Sequence, residues 1–60
     1  MKFVIGNRYN WINQPERLIY MGMNRDPSGF WHQFCKADDN TKKVWCEVTE
    51  SDLSHLEESE

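Results

Sequence analysis

A small all-β barrel is the fold class this sequence predicts, and three observations predict it. Short runs rich in β-branched, aromatic and long apolar residues alternate with clusters of Gly, Pro, Asn and Asp. The two most aromatic runs, Phe30-Trp31-His32-Gln33-Phe34-Cys35 and Val44-Trp45-Cys46-Glu47-Val48, flank the polar stretch 36–43 and read as a hairpin. Nothing upstream of Thr49 keeps a helical period over a useful length.

Taken in order, the first strand is expected over residues 2–5, ended by the turn signal Gly6-Asn7. A long connection, 6–16, follows. Pro15 presets a turn within it, and Tyr9 and Trp11 predict that it folds against the body of the domain. The second strand is expected over 17–23. Gly22 interrupts it and is read as the corner at which a small barrel bends to close. Asp26-Pro27-Ser28-Gly29 is a strong turn signal, and the third and fourth strands are expected over 29–36 and 43–48. Thr49-Glu50-Ser51-Asp52 then has the form of a capping box. Leu53 and Leu56, three apart, suit a 3₁₀ turn, whose side chains eclipse at that spacing. A helical turn with a short last strand, or one short closing helix, both fit. Residues 1–57 make one domain, and 58–60 are expected as a frayed acidic tail.

Size and charge narrow the function classes. Sixty residues bury only about 60% of the unfolded chain's surface, which leaves a stability of a few kcal/mol at best. Three Trp, three Phe and two Tyr must therefore supply most of the core. The net charge of −3 conceals an asymmetry. All seven Lys and Arg precede Glu47, against Glu16, Asp26, Asp38 and Asp39, whereas residues 47–60 hold only acids among their Asp, Glu, Lys and Arg. That acidic end repels phosphate backbones and argues against nucleic acid as the partner. The opening Met-Lys-Phe-Val-Ile-Gly is too short in apolar residues for a signal sequence, and no run approaches transmembrane length. A cytoplasmic protein without membrane contact is expected, with its thiols reduced.

The predicted order of elements is that of an SH3-like barrel: strand, long loop, three-strand meander, 3₁₀ turn, short last strand. The residues carry the likeness further. Gly6-x-x-Tyr9-x-Trp11, Gln14-Pro15-Glu16-Arg17-Leu18-Ile19-Tyr20-x-Gly22, Trp31-His32-Gln33-Phe34, and Val44-Trp45-Cys46-Glu47-Val48 followed by Ser51-Asp52-Leu53 span nearly the whole chain. Together they resemble small uncharacterised SH3-like barrel proteins encoded by tailed phages and prophages of enterobacteria. The resemblance implies a five-stranded SH3-like barrel and the cytoplasm of a bacterial host. It implies no chemistry.

No reaction centre or cofactor is expected from the residues. Cys35, Cys46, His32 and His55 are nominal zinc ligands, but His32 and Cys35 lie three apart on one strand and point to opposite faces. No Cys-x-x-Cys pair supports them. Buried free cysteine is the better reading. A disulfide depends on register: a turn at Asn40-Thr41 would set Cys35 opposite Cys46, and a one-residue change would part them. Ser51, Asp52, Ser54 and His55 include the residue types of a nucleophile triad, crowded into one turn without a glycine elbow or oxyanion nest. Asp38-Asp39 sits in a polar turn, and no Gly-rich phosphate loop occurs. A non-enzymatic protein is expected.

The hairpin itself offers a binding surface. In the Asn40-Thr41 register, Trp31, Gln33, Cys35, Val44, Cys46 and Val48 share one face, assigned to the interior. Phe30, His32, Phe34, Lys36, Trp45 and Glu47 share the other and are the expected binding residues, since exposed aromatics with a polar rim mark interaction sites. The alternative is that Tyr9, Trp11 or the C-terminal turn covers this second face as a small core of its own. A partner protein, conceivably a host factor, is the expected ligand. The rival reading is single-stranded nucleic acid, held by Lys2, Arg8, Arg17, Arg25, Lys36, Lys42 and Lys43 interleaved with Tyr9, Trp11, Phe30, Phe34 and Trp45. A monomer or a weak homodimer paired through edge strands completes the expectation.

Overall fold

The long hairpin forms where the turn signal placed it. A computed structural model describes residues 2–59. Met1 and Glu60, the ends of the expected domain and tail, lie outside the described residues. Asp26 Oδ1 accepts from the Ser28 amide at 2.9 Å and the Ser28 hydroxyl at 2.6 Å, which closes the turn between strands β2 (Leu18–Asp26) and β3 (Gly29–Lys36). These bonds favour the ionised Asp26 carboxylate and hold its pKa below the ordinary value, the Ser28 side-chain bond contributing most.

The first strand lies elsewhere than expected. Strand β1 is Arg8–Trp11, inside the stretch read as a long loop. Residues 2–5 take no strand; Phe3 packs on the core while Val4 and Ile5 remain exposed. Gly6 turns the chain with a φ of 91°, and its amide donates to the Tyr20 carbonyl at 2.9 Å. The physical reason is burial. Tyr9 and Leu18 pair across β1 and β2 and are both sealed in the core, which a short Val-Ile run ending at Gly6 does not match.

The remaining elements are strand β4 (Cys46–Val48), a 3₁₀ turn at Glu50–His55 and strand β5 (Leu56–Glu58). Of the two endings that fit the sequence, the helical turn with a short last strand is the one formed, and Glu58 belongs to that strand. The capping box is not made. Thr49 makes no side-chain cap bond, and its hydroxyl lies 3.1 Å from that of Ser51. All pairings are antiparallel in one sheet of order β4-β3-β2-β1-β5. The fold is therefore all-β, an open five-stranded sheet with one 3₁₀ turn. Its edges are β4 and β5, and no ladder joins them among the described residues.

Tyr9, Leu18, Tyr20, Phe34, Val48 and Leu56 form the core, with Phe3, Trp11, Cys46 and Leu53 packed against it. Phe3 stacks at 4.4 Å on Tyr9 and meets Tyr20 and Phe34 edge-on at 5.6 and 6.0 Å. The Tyr9 hydroxyl accepts from the Val4 amide at 2.8 Å, so the buried phenol is satisfied.

Register decides the faces, and it differs by one residue from expectation. Phe34 pairs with Cys46, Gln33 with Glu47 and His32 with Val48. Phe34, expected outward, is 0% exposed in the core, and His32, also expected outward, is buried. Trp31 and Gln33, expected inward, lie on the opposite side, and Val44 is exposed. Two causes combine. The hairpin does not turn tightly at Asn40-Thr41; a longer loop, 37–45, is built on bonds from the Thr41 amide and hydroxyl to Asp39 Oδ1 at 2.9 and 2.7 Å, with Lys42 at a φ of 55°. Sending Phe34 inward also buries a ring with no polar atoms, whereas Gln33 inward would bury an amide needing partners. Cys35 and Cys46 consequently project to opposite faces. Both thiols are free, Cys35 buried and Cys46 half-buried. Burial, aided by the charge of Glu16, pushes the Cys46 thiol up from its ordinary pKa.

Candidate functional site

A bulge in β2 builds the open side of the long hairpin. Tyr20 pairs with Phe34, but the next pairs are Gly22 with Gln33 and Met23 with His32, so one extra residue is inserted at Met21. Gly22 adopts a φ of 116° there, so the interruption expected at this glycine is a bulge in an open sheet. The insertion shifts strand parity. Met23 and Arg25, which plain alternation would turn away, now share the side of Tyr20, His32 and Phe30. Beyond the core this side continues as two cross-strand rows, Met23–His32 and Arg25–Phe30.

Met23 is 55% and Phe30 50% exposed, an apolar pair at the mouth of the hairpin. The Arg25 guanidinium lies 5.4 Å from the Phe30 ring centroid and supplies a cationic edge. Next to this pair runs a groove of about 520 Å³ lined by Lys2, Phe3, Tyr20, His32, Glu50 and Leu53. The 3₁₀ turn forms its far wall, because Leu53 must face the core and so carries Glu50 with it.

The polar floor of that groove is a chain of three groups. The Tyr20 hydroxyl lies 2.9 Å from His32 Nδ1, and His32 Nε2 lies 3.4 Å from Glu50 Oε2. Burial first, then the charge of Glu50 and the neighbouring Tyr9, raises the Tyr20 pKa above its ordinary 10.0. The phenol therefore keeps its proton, and its hydroxyl pairs with Nδ1 while Nε2 faces Glu50. Glu50 is 80% exposed, so solvent screens this long contact and it adds little. A phenol held protonated is a donor and not a nucleophile.

Removing that phenol has a readable effect. Tyr20→Phe leaves the buried His32 Nδ1 without its partner, an expected loss of about 1–3 kcal/mol in urea unfolding at neutral pH. Alkali gives the sign check. A folded-state pKa above 10.0 means that the folded chain holds this proton more tightly than the unfolded chain. The contribution is complete below about pH 10 and is lost as pH rises through the folded value. The wild type should lose stability more steeply than Tyr20→Phe in that window.

No protein-family model, characterised protein or solved structure in the comparisons matches this chain. The site rests on its own geometry.

The six residues expected to form one binding face are distributed over three places. Phe30 and His32 belong to the open side just described, one exposed and the other in its floor. Phe34 is sealed in the core. Lys36, Trp45 and Glu47 lie toward the other end of β3. Trp45 is 52% exposed, and the Lys36 ammonium sits 4.0 Å from its ring centroid. Glu47 accepts from the Gln33 side chain at 2.9 Å on the side away from the core. Trp31 is on that side too, its indole N–H donating to Asp26 Oδ1 and Ser28 Oγ, each at 3.2 Å. Met23, Tyr20 and Glu50 were not expected at the site, and Arg25 was expected only among the cations of the nucleic-acid reading. Gly22 was the available signal, since a glycine within a strand marks a bulge and a bulge reverses parity beyond it.

Among the described residues, no group of three or more His, Cys, Asp and Glu could hold a metal ion. No helix among them is long and apolar enough to cross a membrane.

Proposed function

We propose that this chain is a non-enzymatic interaction module of the phage and prophage SH3-like kind, docking a segment of a partner protein from the host on the open side of its long hairpin. The observation that carries the reading is the bulge at Tyr20/Gly22. It brings Met23 and Arg25 to the side of Phe30 and His32, and so sets a half-exposed apolar pair beside a groove with a satisfied polar floor. Apolar anchors with a polar surround suit a protein segment. In support of the SH3-like part stand the strand order β4-β3-β2-β1-β5 and the 3₁₀ turn directly before the last strand, which is the order such barrels take.

Phe30 and Met23 are exposed, so replacing both by Ser should leave folding within about 0.5 kcal/mol of wild type. In capture experiments from enterobacterial lysate, the Met23→Ser/Phe30→Ser variant is expected to lose the partner that the wild type retains. Equal retention by the folded double variant overturns the proposal.

A further inference from the structure

A second groove lies at the other end of β3, lined by cations that make no ion pair within 4.0 Å among the described residues. Among the described residues, no Lys or Arg lies within 4.0 Å of a carboxylate; the single contact of that kind is His32 with Glu50. This holds in a chain with ten acids and seven bases. Three of those cations, Arg8, Arg17 and Lys36, line a groove of about 430 Å³.

Their backbones are fixed. Arg8 is paired with Ile19 across β1 and β2, Lys36 with Leu18 across β2 and β3, and the Arg17 carbonyl accepts from the Ala37 amide at 3.0 Å. The Lys36 ammonium rests on the Trp45 ring at 4.0 Å; no carboxylate among the described residues lies within 4.0 Å of it, though its charge adds to the Thr41 hydrogen bonds in lowering the Asp39 pKa. Pro15 and Ala37 supply apolar wall, and Glu16 and Asp38 complete the lining.

We propose that this groove binds the carboxylate of an acidic peptide segment, with Arg8 and Arg17 as its donors and Lys36 and Trp45 as its flank. Arg8 lies opposite Ile19, Arg17 directly precedes Leu18 and both line one groove, and guanidinium meets carboxylate through paired hydrogen bonds. The surroundings select against a polyanion. Glu16 and Asp38 stand in the groove itself. Strand β5, with Glu57 and Glu58, runs along β1, and the Ser59 amide donates to the Arg8 carbonyl at 2.9 Å. A phosphate backbone passing Arg8 would therefore meet acids on its path, while a single side-chain carboxylate would not. The Trp45 ring and the Pro15 wall offer contact to the rest of a peptide. This site is separate from Met23 and Phe30, so its test is independent of theirs.

The probes are an end-blocked Gly-Gly-Glu-Gly-Gly peptide, its counterpart with Gln in place of Glu, and an oligothymidine, each titrated at low salt into the ¹⁵N-labelled full chain. The Glu peptide is expected to shift the amides of Arg8, Arg17, Lys36 and Ala37 and the Trp45 indole, and the Gln peptide to shift none of them. Arg8→Gln/Arg17→Gln should weaken the Glu peptide by about tenfold or more. Should that pair of changes disturb the fold, Lys36→Gln is the substitute, with a smaller loss expected. Absence of shifts at these residues, equal response to the Gln peptide, or tighter binding of oligothymidine at the same amides would each overturn the proposal, the last in favour of nucleic acid.

Discussion

Phe34→Ala is expected to unfold the domain at room temperature, while Trp31→Ala leaves it folded. Phe34 is fully buried at the centre of the core, within 6.4 Å of Tyr9 and 5.3 Å of Tyr20 between ring centroids. Truncating such a ring removes its transfer energy and leaves a cavity that a stiff sheet cannot refill, at a cost of about 3–5 kcal/mol. That equals the whole margin expected of so small a domain, a few kcal/mol. Trp31 is the larger residue and the one assigned inward from the sequence. Yet it lies on the far side of β3, partly buried, where its indole joins the Asp26–Ser28 turn through two bonds of 3.2 Å. Losing those bonds and that partial burial costs less than emptying a sealed core position. Far-ultraviolet circular dichroism and urea unfolding of the two variants check both halves. A folded Phe34→Ala together with an unfolded Trp31→Ala would mean that the strand faces the other way.

Gly22→Ala should cost about 1–3 kcal/mol, the strain of holding an L-residue where φ is positive. The local φ is 116°, and an added Cβ would meet Ile5 Cδ1 at 3.3 Å. Ile5 is an exposed side chain that can give way, so the backbone term dominates. The change has a second consequence. Relief of the strain by flattening the bulge would return Met23 and Arg25 to plain alternation and take them off the Phe30 side. Thermal unfolding should show the loss, with the Met23 methyl resonance displaced in whatever fraction stays folded. A variant as stable as the wild type would contradict the role given to the bulge.

What could be read in the sequence was what local chemistry alone decides. Asp26-Pro27-Ser28-Gly29 contains its own turn bonds, so the long hairpin and the bounds of β3 followed. Leu53 and Leu56 marked the 3₁₀ turn in the same way, whereas the choice between a short last strand and a closing helix stayed open. The inward face of β3 was not local. Phe30, Trp31, His32, Phe34 and Cys35 place large or apolar groups on both parities, so alternation could not choose between them. The choice came from the β3–β4 register, set by a loop whose left-handed residue is Lys42 and not a glycine. The site was hidden for a related reason. His32 is tolerated in the interior because Tyr20, twelve residues away, meets its ring nitrogen, and Met23 reaches the open side only through the bulge. Tyr9 was seen as a loop residue folded against the body; its strand became visible only through its pairing with Leu18.

The most direct test of the account is which side chains of β3 share a side with the core and with Met23. Two-dimensional nuclear Overhauser spectra of the aromatic and methyl protons answer it. The account predicts cross-peaks from the Phe34 ring to Tyr9 and Tyr20, and from the His32 ring to the Met23 methyl. Cross-peaks from the Trp31 indole to Tyr9 and Tyr20, with none from Phe34, would contradict it.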